Sequence, residues 1–184
     1  DMGGARTSGL ELVAGPDRVD LEGGLRWDPE LSFDLTAEAW SPLIARHLEA
    51  LDVPDVDGNV TVHRLALRGT LDAPAADLEA TVEELRTPVI DLAQVELDAR
   101  LVDGDFVVRR LAWADPLTDG AIIGDMVKLV GPGPRILKSP WRVGVEAIAP
   151  IRLPLELVAP DEGVLGQVRL DSLFLDGRIG TRAH

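Results

Sequence analysis

The chain has 184 residues, 32 acidic against 18 basic, a formal net charge of -14, 46% hydrophobic residues and no cysteine. That length suits one domain with a sizeable core, the apolar content excludes intrinsic disorder, and the acidic balance excludes nucleic acid and charge-driven docking on an anionic membrane. The lack of cysteine excludes disulfides, thiolate nucleophiles and cysteine metal sites, and 4% aromatics with no tyrosine leave no stacking platform for single strands.

Alternation with period two dominates, the mark of strands with one buried and one wet face. Val19, Leu21, Leu25 and Trp27 alternate with Asp20, Glu22 and Arg26. Leu31, Phe33, Leu35 and Ala37 alternate with Ser32, Asp34 and Thr36. Ser41-Pro42 supplies an N-cap and an N1 proline for a helix. Leu43, Ile44, His47, Leu48 and Leu51 share its apolar face, and Val53-Pro54 ends it. Val60 and Val62 open the next strand, and Leu65, Leu67 and Leu71 continue it after a slip at His63-Arg64, which predicts a β-bulge. Leu78, Ala80 and Val82 follow, then Val95, Leu97, Ala99 and Leu101 against Glu96, Asp98 and Arg100.

Asp103-Gly104 predicts a two-residue hairpin turn. On the returning segment, Phe106, Val108 and Arg110 take one side and Val107, Arg109, Leu111 and Trp113 the other, so the core-facing side stays open. Residues 121–130 are expected as strand, because Gly124 weakens a helix while Ile123, Val127 and Leu129 suit alternation. Gly131-Pro132-Gly133-Pro134 marks a loop insertion at 130–140. Trp141, Val143, Val145 and Ala147 predict one further strand. Ile151, Leu153, Leu155 and Leu157 predict another, with Pro154 arguing for an edge or distorted pairing. The last carries Val168, Leu170, Leu173 and Leu175.

The chain repeats itself weakly. Leu21-Glu22-Gly23-Gly24-Leu25 and Leu67-Arg68-Gly69-Thr70-Leu71 share a frame that Leu175-Asp176-Gly177-Arg178-Ile179 nearly matches, which places unit starts near 19, 58 and 166. Repeats of short alternating strands point to a propagating sheet, with a β-sandwich as the alternative. The expected fold is mostly β: a curled, twisted antiparallel-type sheet forming a groove, with one short helix. All 184 residues would be one fragment of a longer repeating domain.

Catalytic constellations are missing. His47, His63 and His184 are too scattered for a metal motif. The carboxylates Glu22, Asp34, Glu79, Glu96, Asp98 and Glu156 alternate outward, as a solvated face does. Asp55-Val56-Asp57-Gly58-Asn59 lacks the downstream glutamate of a calcium loop and reads as a turn. The expectation is a protein that is no enzyme and uses no metal or cofactor. What remains is the aliphatic face. It suits acyl chains, which offer apolar surface and little directional chemistry. Its candidate lining is Leu21, Leu25, Leu31, Phe33, Leu35, Val60, Val62, Leu65, Leu67, Leu71, Leu78, Val82, Val95, Leu97, Leu101, Trp113, Val143, Val145, Ile151, Leu153, Leu155 and Leu157.

The segment from Val53 to Leu111 also resembles the repeating β-groove region of the TamB/AsmA-like family. The resemblance rests on Val53-Pro54-Asp55-Val56-Asp57-Gly58-Asn59-Val60-Thr61-Val62, then Leu65-Ala66-Leu67-Arg68-Gly69-Thr70-Leu71-Asp72-Ala73-Pro74. Leu25-Arg26-Trp27-Asp28-Pro29 looks like an earlier unit. This likeness implies a periplasmic, bridge-like conduit that carries phospholipids between inner and outer membranes. It further implies an inner-membrane anchor and an outer-membrane barrel partner of the Omp85 type, both outside this fragment. The alternative is a structural module that pairs through its sheet edges with an outer-membrane assembly partner.

Overall fold

Alternating sequences of this kind form strands that bury one face, and here consecutive strands pair with one another down the chain. The computed structural model describes residues 3–28, 30–49, 55–88, 90–115, 117–129, 141–155 and 166–179. The strands are β1 (Gly4–Ala14), β2 (Asp17–Arg26), β3 (Ser32–Ser41), β4 (Asp57–Thr70), β5 (Pro74–Arg86) and β6 (Asp91–Val102). They continue with β7 (Asp105–Ala114), β8 (Asp119–Leu129), β9 (Trp141–Pro154), β10 (Gln167–Leu170) and β11 (Phe174–Ile179). One short helix, α1 (Ala45–Glu49), lies between β3 and β4.

The result is a single twisted antiparallel sheet in chain order from β1 to β9, with β10 and β11 both paired to β9. β10 pairs the second half of β9, as in Leu170 against Ile151, and β11 pairs the first half, as in Leu175 against Val145. The two therefore make one edge strand interrupted at 171–173. Across the interruption the Ala147 amide still donates to the Leu173 carbonyl at 2.9 Å. Among the described residues there is one sheet, not the two of a sandwich.

Two strands differ from the sequence expectation. β1 leaves no continuous alternation in the sequence, because its bulge at Ser8-Gly9, between Thr7 and Leu10, interrupts it. The two segments around Val143 and Ile151 are one strand, β9. Pro154 ends that strand beyond the last β8 contact, Asp119 against Arg152, and meets only Gln167 of β10. The helix is also shorter than expected. Ser41 is the last residue of β3 rather than a cap, and its hydroxyl donates to Asp17 at 2.6 Å. Leu51 and the insertion at 130–140 lie outside the described residues.

Other local expectations match the structure. His63-Arg64 is a bulge: the pairing runs from Val62 against Ala80 to Arg64 against Glu79. Asp103 and Gly104 turn at φ 51 and 77, the left-handed pair a tight hairpin needs. Residues 119–129 are strand. The glycines of the first two repeat frames also have a physical reason. Gly23 and Gly69 sit at φ 125 and 104, where a Cβ would strike the carbonyls of Asp34 and Ala73. Gly124 in β8, at φ 138, faces the Gly144 carbonyl in the same way.

The fold buries little. The chain exposes 12297 Å², against about 8,600 Å² for a compact monomer of 19.8 kDa. The buried cluster is local: Ile122, Val143, Val145 and Ile151, with Leu111, Trp113, Met126 and Leu153 packed on it.

Candidate functional site

Directly opposed residues in an antiparallel sheet share a face, so the register traces each row of side chains across the strands. One row runs Leu10, Leu21, Ala37, Leu65, Leu78, Ala99, Val108, Met126, Val143, from β1 to β9. The next runs Leu12, Val19, Ala39, Val62, Ala80, Leu97, Leu111, Ile122, Ala147 and ends on Leu173. Neither row holds a polar or charged residue. Ten strand positions at the usual spacing span roughly 43 Å.

Shorter rows flank these two. Leu35, Leu67, Ala76, Leu101 and Phe106 lie toward one margin, and Val60, Val82, Val95 and Trp113 toward the other. From β1 to β6 the larger side chains stay partly exposed, Leu21, Leu65, Leu78 and Leu97 among them, and Ala37, Ala80 and Ala99 between them are buried; at the β7 to β9 end Val108, Ile122 and Val143 are buried too. Ala99 is 0% exposed and Ala37 8%. From β1 to β6 the face is thus lined by partly exposed aliphatic side chains, with Ala37, Ala80 and Ala99 buried between them.

Most sequence-predicted lining residues meet on this face, and a few do not. Leu71 lies in the turn between β4 and β5 and is 69% exposed. Leu31 precedes β3, and Leu155 follows β9. Leu25 and Phe33 oppose each other at the outermost row, where Leu25 is 42% exposed. Leu157 lies outside the described residues. The sequence reading missed Leu10, Leu12, Val108, Leu111, Met126 and Ile122 as members of the rows. On β7 the signal was present, but a bulge at Arg109 divides it. Pairing with β6 passes from Asp98 against Arg110 to Ala99 against Val108, so Phe106 and Val108 face the same way as Leu111 and Trp113.

The opposite face is a lattice of ion pairs. Arg68 lies 3.7 Å from Asp34 and 4.0 Å from Asp77. Arg109 reaches Asp77 at 3.5 Å across β6 and also bonds Asp98. Its guanidinium pKa is held above the ordinary value, first by the hydrogen bond to Asp98. Arg110 pairs Glu96 at 2.9 Å, and Arg142 pairs Asp105 at 2.9 Å. Such exposed pairs contribute little individually. Together they pair these arginines and carboxylates on the wet side.

Polar groups meet the apolar side at one end. Asp17, at the start of β2, accepts the Ser41 hydroxyl and lies 3.2 Å from His47 and 3.6 Å from Arg46 of α1. The Ser41 hydrogen bond, then Arg46 and His47, hold the Asp17 carboxyl below its ordinary range against the opposing effect of burial. The Ile44 amide donates to the Gly58 carbonyl at 3.1 Å, and Ile44 is buried. α1 is thereby fastened at the margin of the face beside β2 to β4.

His63 bonds Thr81 at 2.8 Å on the charged face, away from His47. Among the described residues no three His, Asp or Glu side chains are grouped to hold a metal ion. No described helix is long and apolar enough to cross a membrane. No protein-family model, curated protein or solved structure matches the chain.

Proposed function

We propose that this chain is a non-enzymatic segment of a conduit that carries phospholipids along an apolar sheet face, between the inner and outer membranes and across the periplasm. The observation that carries this reading is the pair of uncharged rows crossing the sheet, one from β1 to β9 and the other on to Leu173, with Leu10, Leu12, Leu21, Leu65, Leu78 and Leu97 still partly exposed while Val108, Ile122 and Val143 are buried. A self-contained core would cover such a face with a second layer. Acyl chains fit it because they need area and no directional partner. Each methylene laid on the face contributes at most about 0.8 kcal/mol. A tail is then held without fixed hydrogen bonds, and it passes between successive strands at similar free energy.

The twist of the sheet favours curling of the apolar face into a trough, with the ion-paired face outward. The cargo is the lipid itself, so the work needs no cofactor. The resemblance to TamB/AsmA-like repeats supports the periplasmic setting, with membranes at both ends of the longer chain and an Omp85-type barrel as partner of regions outside this fragment. Native mass spectrometry of the purified chain is the test. The expected spectrum shows phospholipid bound to the wild type and greatly reduced in Leu97→Asp. A lipid-free chain that also takes up none from phosphatidylethanolamine vesicles would overturn the reading.

A further inference from the structure

We propose that one margin of the apolar face reads the lipid headgroup and selects lipids that bear an ammonium group over anionic ones. The inference rests on the lipid reading above and names the lipid class for that same face.

In an antiparallel sheet that runs in chain order, alternate connections lie at the same margin. The hairpin tips that join β2 to β3, β4 to β5 and β6 to β7 therefore share one. They carry Asp28 and Glu30, then Asp72, then Asp103, all exposed, and no lysine, arginine or histidine. Successive tips stand two strands apart, roughly 10 Å, close to the reach of a charge in physiological salt. A headgroup that moves from strand to strand passes from one carboxylate to the next.

Three observations set these groups apart from ordinary turn residues. First, among the described residues none of the four forms an ion pair. Asp34, Asp77, Asp98 and Glu96 on the strands are instead held by Arg68, Arg109 and Arg110. Second, the first two tips also leave large apolar side chains in water: Trp27 is 55%, Leu31 38% and Leu71 69% exposed. Trp27 stands two residues past Leu25, and Leu31 two before Phe33, so the alternation of the outermost row carries apolar surface out to the carboxylates. An indole suits the headgroup level, and its face attracts an ammonium cation. Asp28 follows it directly.

Third, the opposite margin differs. α1 is fastened there beside β2 to β4, and Arg46, His47, Arg86 and Arg152 stand among its carboxylates. A phospholipid with its tails on the rows has to leave its phosphate in water. Along β2 to β4 the tip margin is the one left for it. An ethanolamine headgroup brings a cation to those unpaired carboxylates, whereas a headgroup of net negative charge meets like charge.

The test loads the delipidated chain from vesicles of equal phosphatidylethanolamine and phosphatidylglycerol and counts the bound lipid by class. The total reads carriage, and the ratio reads headgroup choice. Wild type is expected to favour phosphatidylethanolamine by about three- to fivefold. Asp28→Asn, Glu30→Gln, Asp72→Asn and Asp103→Asn together should return the ratio to that of the vesicles without lowering the total. Glu22→Gln, Glu38→Gln, Glu79→Gln and Glu83→Gln remove the same charge from exposed positions on the strands and should keep the preference. Where circular dichroism shows a fourfold variant unfolded, Asp72→Asn and Glu79→Gln alone make the same comparison with a smaller expected shift. Equal uptake of both lipids by wild type overturns this proposal alone. Loss of the preference in the strand variant as complete as in the tip variant also overturns it, because the charge of the whole chain then suffices. A wild type that takes up neither lipid fails the carriage reading, and this one with it.

Discussion

Val108 and Leu111 lie three residues apart on β7 and yet face the same side of the sheet. In a regular strand an odd separation puts two residues on opposite faces. The bulge at Arg109 absorbs the extra residue and sets Arg109 and Arg110 together on the charged face, opposite Asp98. The same device on β4 keeps Val62 and Leu65 together. Without these bulges, half of each strand would turn its aliphatic residues to the wet side.

Deletion of Arg109 should therefore be far worse than its truncation. Deletion forces either Phe106 and Val108 or Leu111 and Trp113 onto the charged face, a loss of roughly 3 kcal/mol or more. Arg109→Ala removes the partly exposed pairs to Asp98 and Asp77 and should cost about 1 kcal/mol or less. Urea unfolding followed by circular dichroism distinguishes the two. Equal midpoints would mean that the bulge does not set the register.

Two glycines one strand apart should behave oppositely. Gly124 holds φ 138 with its Cβ position blocked by a backbone carbonyl, so Gly124→Ala should destabilise the sheet by about 1–3 kcal/mol. Gly144 has open space where a Cβ would stand, so Gly144→Ala should be neutral or stabilise by up to about 1 kcal/mol. Thermal unfolding of the two variants is the measurement, and the ordering is the point at issue.

The fastening of α1 should depend on acid. The Asp17 carboxyl is held low by Ser41, Arg46 and His47, so the folded state favours its charged form. A group depressed on folding contributes stability above its unfolded pKa, about 3.9 for aspartate. That contribution is lost as pH falls through the folded value. Carbon-detected NMR titration should show Asp17 ionising below that reference, and Asp17→Asn should remove the acid dependence of the contact between α1 and β2. A titration at or above the reference value would contradict this arrangement.

Much of the architecture was legible because period-two alternation is a local signal. The turn at Asp103-Gly104 and the bulge at His63-Arg64 were read from a few neighbouring residues each. The face of β7 was not, because Phe106 and Trp113 fall on opposite parities until the bulge at Arg109 is known. β1 escaped notice because Ser8-Gly9 divides its pattern. The role of Ser41 is hidden in the sequence because its partner, Asp17, is distant, and only pairing of β2 with β3 brings the two together. The continuity of the apolar rows lies in the register of all the strands, which no local window contains. The wet face was the easier half: Asp34, Glu96 and Asp98 alternate outward as expected, although the pairing of Arg109 with Asp77 across β6 was invisible.

A charge placed in the middle of the rows should act on lipid more than on folding. Leu97 is partly exposed, so Leu97→Asp leaves its carboxylate hydrated in the empty protein. An acyl chain lying across it would strip that hydration, at a cost of about 1–3 kcal/mol. Lipid occupancy should fall about 10- to 100-fold. Thr81→Asp, on the charged face, should change occupancy little. Phospholipid extracted from equal masses of the two variants gives the comparison.

The most direct measurement is site-specific photocrosslinking to phospholipid in cells. A photoreactive residue is placed in turn at Leu21, Leu65, Leu97 and Met126 on the apolar side, and at Asp20, Thr81 and Glu96 on the charged side. The account predicts lipid adducts at all four apolar positions and none at the three on the charged side. Adducts spread equally over both faces, or absent from the apolar rows, would contradict it.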